Sequence, residues 1–540
     1  LSPSILISVL IYKLYCNIDA APVPIKYSPA SVDLADPKMR TVILLSIFVH
    51  VICSETYEDK RSKLLKEEFK LTLGGKIVLN DKEDEVNKCL MKYKNQELDY
   101  AFEHPDHFNL SHHFFSYKEQ IRQSKVYNIL KDLPKGAVLH VHDMGILGPD
   151  YLMNITYMDN LFMCISDAVQ LRFSEKRPHL PCPSKWILVS EARRISINVT
   201  EFDAKLRQLF TLVVDDPDVV YPSITNTWDV FMNYFITVAP MLSYRPVWEQ
   251  YFYDVLKVFR EHNIMYVEVR SILPNLYEID GSTYNQIVTA KAYKKAINRF
   301  VKDYPDFIGA KLIFAPSRCV SNSTVITDLQ VAKDIKRNLP DHFAGFDLVG
   351  QEDKGYPLID FIPELTAAGK ELNFFFHAGE TNWYGSQTDE NLVDAILLGT
   401  KRIGHAYALP KHPLLMEEVI KNKIGIEVNV VSNSVLSLVR DVRNHPLSIF
   451  FANDLPVVLS SDDPGAWEAD PITDDFYVAF MGVASRESDI RMIKKLALNS
   501  LEYSALEGEA KIDAMRKFNQ RWDDFINKFK LNVFKQCNMI

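Results

Sequence analysis

From residue 137 onward, eight short apolar runs rich in β-branched residues recur along the chain: Ala137–His142, Ile264–Arg270, Ala310–Ala315, Phe343–Val349, Asn373–His377, Arg402–Ala406, Gly425–Val431 and Pro456–Ser460. They are near-continuously hydrophobic, the pattern of strands buried on both faces of a parallel sheet. From the second run on, intervals of about 20–45 residues leave room for the helices that parallel strands require. Eight such units predict an α/β fold closed into a (β/α)8 TIM barrel; a doubly wound open sheet is the alternative. Ahead of the barrel, residues 55–132 read as a helical segment, with apolar residues at helical spacing over 57–70, 82–102 and 117–133. The barrel domain is then 133–540.

The gap between the first two runs is far too long for one crossover helix. Its first part, residues 149–208, holds two cysteines, two sequons and a cluster of basic residues from Arg172 to Arg194. It reads as an insertion after the first strand with a small fold of its own. Cys164 and Cys182 stand close together there, where a local disulfide would help; two free thiols are the alternative.

The 540-residue chain is 47% hydrophobic, enough for a large core, and carries a formal net charge of −9 with no long basic run. That argues against a nucleic-acid partner. Met39 is the first methionine, and a short basic start, an apolar core over Thr41–Cys53 and a small-residue exit follow it. Residues 39–54 therefore read as a signal peptide, too short for a membrane span. Residues 1–38 are expected to be upstream sequence that the natural protein lacks; the alternative is a longer leader. Four N-x-Ser/Thr sequons, at Asn109, Asn154, Asn198 and Asn322, agree with export and glycosylation.

The chemistry lies where the runs end. His140 and His142 are i and i+2 on the first strand, so both face the barrel mouth. His377 ends the fifth run, with Glu380 in the loop three residues on; His405 ends the sixth, and Asp462-Asp463 follows the eighth. Barrel enzymes build active sites from these strand ends. Three imidazoles and one carboxylate suit a single zinc ion, with the remaining acids left for substrate. Glu380 is then an acid acting on substrate or a partner orienting an imidazole. Of the Asp pair, one ligates and one does not. His405 is a fourth ligand or the group that manages the water. A different zinc-site design, His-x-Glu with Pro-Cys-x-x-Cys, is absent.

These stretches, with the Pro134-Lys135-Gly136-Ala137 lead-in, Gly345-Phe346-Asp347-Leu348-Val349-Gly350, His377-Ala378-Gly379-Glu380-Thr381, Arg402-Ile403-Gly404-His405 and Ser460-Ser461-Asp462-Asp463-Pro464, resemble the motifs of the secreted adenosine deaminase-related growth factors. The resemblance runs from about residue 71 to residue 527 and takes in the insertion cysteines and the helical N-terminus. It implies a barrel of the metal-dependent amidohydrolase type that converts adenosine, and 2′-deoxyadenosine, to inosine and ammonia outside the cell. It also implies one Zn²⁺ per subunit on His140, His142, His377 and Asp462, with Glu380 protonating N1 of the purine. His405 would orient or deprotonate the water, Asp463 accept a hydrogen bond from or near N7, and the Gly350 N–H donate to N3. Asp143 and Trp228 match pocket positions. Residues 55–132 resemble a dimerisation domain, implying a homodimer; the insertion would contact a cell-surface receptor or glycan, and growth-factor activity would follow from adenosine depletion. The sequence departs from the family at Asn429-Val430, usually Cys-Pro, and at Ala406, usually Gly. A growth factor with an inactive barrel and an adenine or AMP deaminase are the competing readings.

Overall fold

Eight parallel strands close a ring in the computed structural model, which describes residues 56–165 and 169–537. One four-stranded sheet is ordered β1 (Gly136–His142), β5 (Ile264–Ser271), β6 (Gly309–Phe314) and β7 (Phe343–Phe346). The other is ordered β8 (His377–Ala378), β9 (Arg402–His405), β10 (Gly425–Val428) and β11 (Val457–Leu459). Parallel bridges between Val141 and Asp462 and between Phe346 and Phe374 join the sheets at both seams. The barrel is closed, and the open-sheet alternative is excluded. The expected leader, residues 1–54, lies outside the described residues. Among the described residues, no helix is long and apolar enough to cross a membrane.

Two expectations need correcting. The fifth run is a strand only at His377–Ala378, because Phe374 bridges Phe346 and the next pairing begins at His377↔Gly404. The helix expected over 117–133 is two helices, Phe114–Ile121 and Lys125–Asp132. Ser124 separates them: its side chain caps the second helix at Tyr127 N, 3.1 Å away, and its hydroxyl donates to Glu97. A serine so placed offers the backbone an alternative to continuing the helix.

The chain divides into two compact units after Lys70. All but the last residue of the helix Tyr57–Leu71, which has no buried residues, falls in the first unit. In the second, the helix Asp81–Glu103 begins with a capping box between Asn80 and Glu83. Glu83 also accepts from Trp522 Nε1 at 2.8 Å and Lys494 Nζ at 2.6 Å, tying this helix to the C-terminal helices. The insertion is a three-stranded antiparallel sheet, β2 (Leu161–Cys164), β3 (Gln170–Phe173) and β4 (Trp186–Leu188), with helices Val189–Ile195 and Val199–Gln208. Cys164 and Cys182 form a disulfide beside Phe162 and Trp186. Two further helices, Ile224–Leu242 and Arg245–Glu261, precede β5.

The barrel interior carries charge. Arg402 donates to Glu427 and, at 2.7 Å, to Glu268; Arg270 donates to Glu427 at 2.7 Å and to Asp347 at 2.8 Å, and all five are fully buried. A buried charge is tolerated only when paired and hydrogen-bonded. Arg402→Met should leave Glu268 and Glu427 short of a counter-ion and cost about 3–5 kcal/mol, read by denaturant unfolding. A loss under about 1 kcal/mol, the range of a surface pair, would show that the network does not hold the barrel.

Candidate active site

The two histidines of β1 point the same way because strand residues two apart share a face; their rings lie 5.3 Å apart between centroids. His140 Nδ1 sits 2.8 Å from Glu427 Oε2, which leaves its Nε2 facing the neighbouring imidazoles, buried and without a hydrogen-bond partner. His377, at the start of β8, is fixed the same way: Asp347 accepts from its Nδ1 at 2.7 Å and from its backbone N–H at 2.9 Å. Its ring centroid is 4.5 Å from that of His140. Asp462, one of the residues closing the barrel, places Oδ1 3.2 Å from His142 Nε2 and 3.5 Å from His140 Nε2. Its Oδ2 accepts from Ser432 Oγ at 2.6 Å.

Among the described residues, two triads bring their ligand atoms within 4.8 Å of one another, His140–His377–His405 and His140–His142–Asp462. They share His140, so this is one centre. Its donor set suits a tetrahedral divalent ion such as zinc. Carboxylates on the far nitrogens of His140 and His377 fix which ring nitrogen is offered, as metal-ligating histidines require. The orphaned Nε2 of His140 is the atom an ion would satisfy.

The remaining acids stand around a cavity of about 250 Å³ at the strand ends. Glu380 is buried in the loop after β8, its Oε1 unpartnered and 3.5 Å from His405 Nδ1. Burial, reinforced by the Asp462 and Glu352 carboxyls, pushes its carboxyl well above the ordinary range. Asp463 is buried with Oδ1 unpartnered, and burial together with Asp462 pushes it well above as well. It reaches the cavity over Gly145, where an added Cβ would stand 1.9 Å from its carboxyl oxygen. Gly350 lines the cavity with φ +112°, a conformation that demands glycine. Asp143 and Trp228 line it too, the latter from the Ile224–Leu242 helix with Phe231, Met232 and Phe235. Both Asp143 oxygens are engaged, with Met144 N–H and Tyr293 O–H. Asn109, Asn154, Asn198 and Asn322 are all exposed.

Several residues that organise this site were not legible as such. Glu427 and Arg270 stand in no quoted motif, and Asp347 stands in one without a role assigned to it, although charged residues inside apolar strand runs were a signal available in the sequence. Glu352 accepts from Glu380 N at 2.9 Å, Gly379 N at 3.1 Å and Asn391 Nδ2 at 2.8 Å. Arg318, with Nη1 3.5 Å from Glu352, donates to His377 O at 2.8 Å. Together they pin the loop that carries His377 and Glu380. Of the departures, Ala406 sits at φ +48°, where glycine is at ease, and Asn429 is buried with both amide atoms unpartnered.

Comparison with known proteins places these observations. The family model described as adenosine deaminase matches residues 210–520, and that described as adenosine/AMP deaminase N-terminal matches residues 48–130. An adenosine deaminase of Aedes albopictus is 43% identical over 473 residues, covering 87% of this chain and 88% of its own. Human adenosine deaminase 2 is 40% identical over 477 residues, 87% of this chain and 93% of its own. Among solved structures, the arabidopsis N6-mAMP deaminase superposes with a TM-score of 0.52 at 16% identity, over 73% of this chain and 99% of that one. The adenine deaminase of Arthrobacter aurescens gives 0.52 at 18% identity, over 72% and 98%. These low identities speak for the fold alone. With relatives at 40% identity or more along most of its length and a family model over residues 210–520, this chain belongs to the adenosine deaminase family.

Proposed function

We propose that this chain is a secreted, zinc-dependent adenosine deaminase that hydrolyses adenosine and 2′-deoxyadenosine to inosine, or deoxyinosine, and ammonia. One observation carries the reading: a buried acid with an unpartnered oxygen, Glu380, beside a four-imidazole, one-carboxylate centre at the floor of an apolar cavity. His140, His142, His377 and Asp462 would hold the zinc ion, one per subunit. When bound, it supplies the Lewis acidity that makes hydroxide available near neutral pH.

The chain's own groups do the rest. Glu380, as the neutral acid, delivers its proton to purine N1 and makes C6 electrophilic. His405 orients the attacking water and offsets charge developing on its oxygen. Asp463 is also held neutral, so it donates to N7, which carries no hydrogen; this reverses the direction expected from sequence. The Gly350 N–H donates to N3. The wall of Trp228, Phe231, Met232 and Phe235 excludes bulk water from the aminopurine.

The disulfide and the exposed sequons support an oxidising, extracellular setting. The homodimer through residues 55–132, a receptor or glycan on the insertion, and growth-factor activity through adenosine depletion belong to the same proposal.

Purified protein should convert adenosine to inosine, followed as the falling ultraviolet absorbance of the aminopurine. A chelator should stop the reaction and zinc restore it; absence of turnover in zinc-replete protein would sink the proposal. Glu380→Gln should lower kcat by about 10²–10⁴-fold with zinc content unchanged, and retained activity would remove Glu380 as proton donor. Turnover needs Glu380 protonated, so the rate should fall as pH rises through its pKa. Glu352→Gln removes a charge that raises that pKa, so the alkaline limb should move to lower pH, with kcat down about 10–100-fold as the loop loses its anchor. An alkaline limb left in place would show that Glu352 does not act on Glu380.

A further inference from the structure

A buried line of hydrogen bonds ends on His405, and its direction is set from the far end. Leu447 N–H lies 3.0 Å from His445 Nδ1. A backbone amide can only donate, so His445 Nδ1 is the bare, accepting nitrogen. His445 is fully buried, and burial lowers its pKa to about 3, so the ring is neutral and its single proton sits on Nε2. That nitrogen faces Asn433 Oδ1 at 3.0 Å. The Asn433 amide is thereby oriented, oxygen towards His445 and NH₂ towards His405 Nδ1, 3.1 Å away. The opposite amide orientation would ask a neutral imidazole to accept at both nitrogens, which it cannot do. His405 Nδ1 must therefore accept, and its ring proton lies on Nε2, on the side of Asp462 Oδ2 at 3.8 Å.

We propose that Asn433 and His445 are positioning residues that lock His405 in its Nε2–H form, so that it meets the attacking water as a hydrogen-bond donor. The inference rests on the deaminase reading for what the water does, and on hydrogen-bond direction for the tautomer. It narrows His405 from a group that orients or deprotonates the water to one that orients it and offsets negative charge on its oxygen. The neighbouring Glu380 Oε1, 3.5 Å from the same Nδ1, makes no hydrogen bond to it, so the Nδ1 lone pair stays with the Asn433 NH₂. Neither Asn433 nor His445 lines the cavity, so they act through His405. The relay uses two side chains from one stretch after β10, the helix Val430–Val435 and the turn that follows Val442–Asn444.

The test is the ring-nitrogen NMR spectrum of the full chain, labelled at histidine and loaded with zinc, with the His405 signals assigned by their loss in His405→Gln. A protonated Nε2 and bare Nδ1 are expected; a proton on Nδ1 overturns the proposal. His445→Met presents no donor, so the Asn433 amide loses the contact that orients it, the His405 proton should spread over both ring nitrogens, and kcat should fall about 10–100-fold. His445→Gln, which can again present a donor, should recover the Nε2–H signal and most of that loss. Identical His405 spectra for the Met and Gln variants would overturn the relay. Should the Met variant not fold, the wild-type spectrum alone still decides. Adenosine turnover with the proton on Nδ1 would defeat the relay and leave the function; no turnover with the proton on Nε2 would defeat the function and leave the relay.

Discussion

Glu427 is the constraint on which the rest turns. A carboxylate fully buried in a barrel can stay charged only if donors surround it. Burial works against the charge, yet the Arg270 and Arg402 guanidiniums hold it well below the usual carboxylate range, and His140 Nδ1 adds a further partner. Those donors arrive from β5, β9 and β1, so the charge is satisfied only when the strands have closed into a ring. The same contact sets which nitrogen His140 turns towards the centre. Closing the fold and aiming the first ligand are one event.

Arg270 extends this coupling across the interior. Its other contact is Asp347, which holds both the ring and the backbone of His377. Two candidate ligands from opposite sheets thus hang from a single guanidinium. The ring nitrogen each offers is thus set from the barrel interior, while the loops above shape the cavity around a purine.

The residues doing chemistry were readable because each stands at the end of an apolar run, where a parallel barrel exposes its strands. The eight runs fixed the closed ring for the same reason. The supporting residues were hidden. Glu427 and Asp347 lie inside or just beyond strands, and only the three-dimensional register brings them onto the far nitrogens of histidines more than two hundred and about thirty positions away, respectively. Asn433 lies just beyond the altered Asn429-Val430 pair with nothing to mark it, and its amide acquires meaning only from His445 on one side and His405 on the other. The break at Ser124 turned on one hydroxyl that can either face solvent or cap a helix, which periodicity does not distinguish. The cavity wall from Ile224–Leu242 reads as an ordinary amphipathic helix, because the side facing a small apolar substrate looks the same as a side facing core.

His405 and Asp462, both central to the site, have left-handed backbone conformations with φ of +61° and +60°. Side chains other than glycine adopt that region at a cost of about 1–3 kcal/mol each. The active enzyme therefore carries conformational tension that a glycine at either position would release while erasing the chemistry. Among natural or engineered variants of this chain, resistance to heat and abundance in culture would then be poor guides to activity. A population selected only for robust folding would drift towards barrels that accumulate well and deaminate nothing.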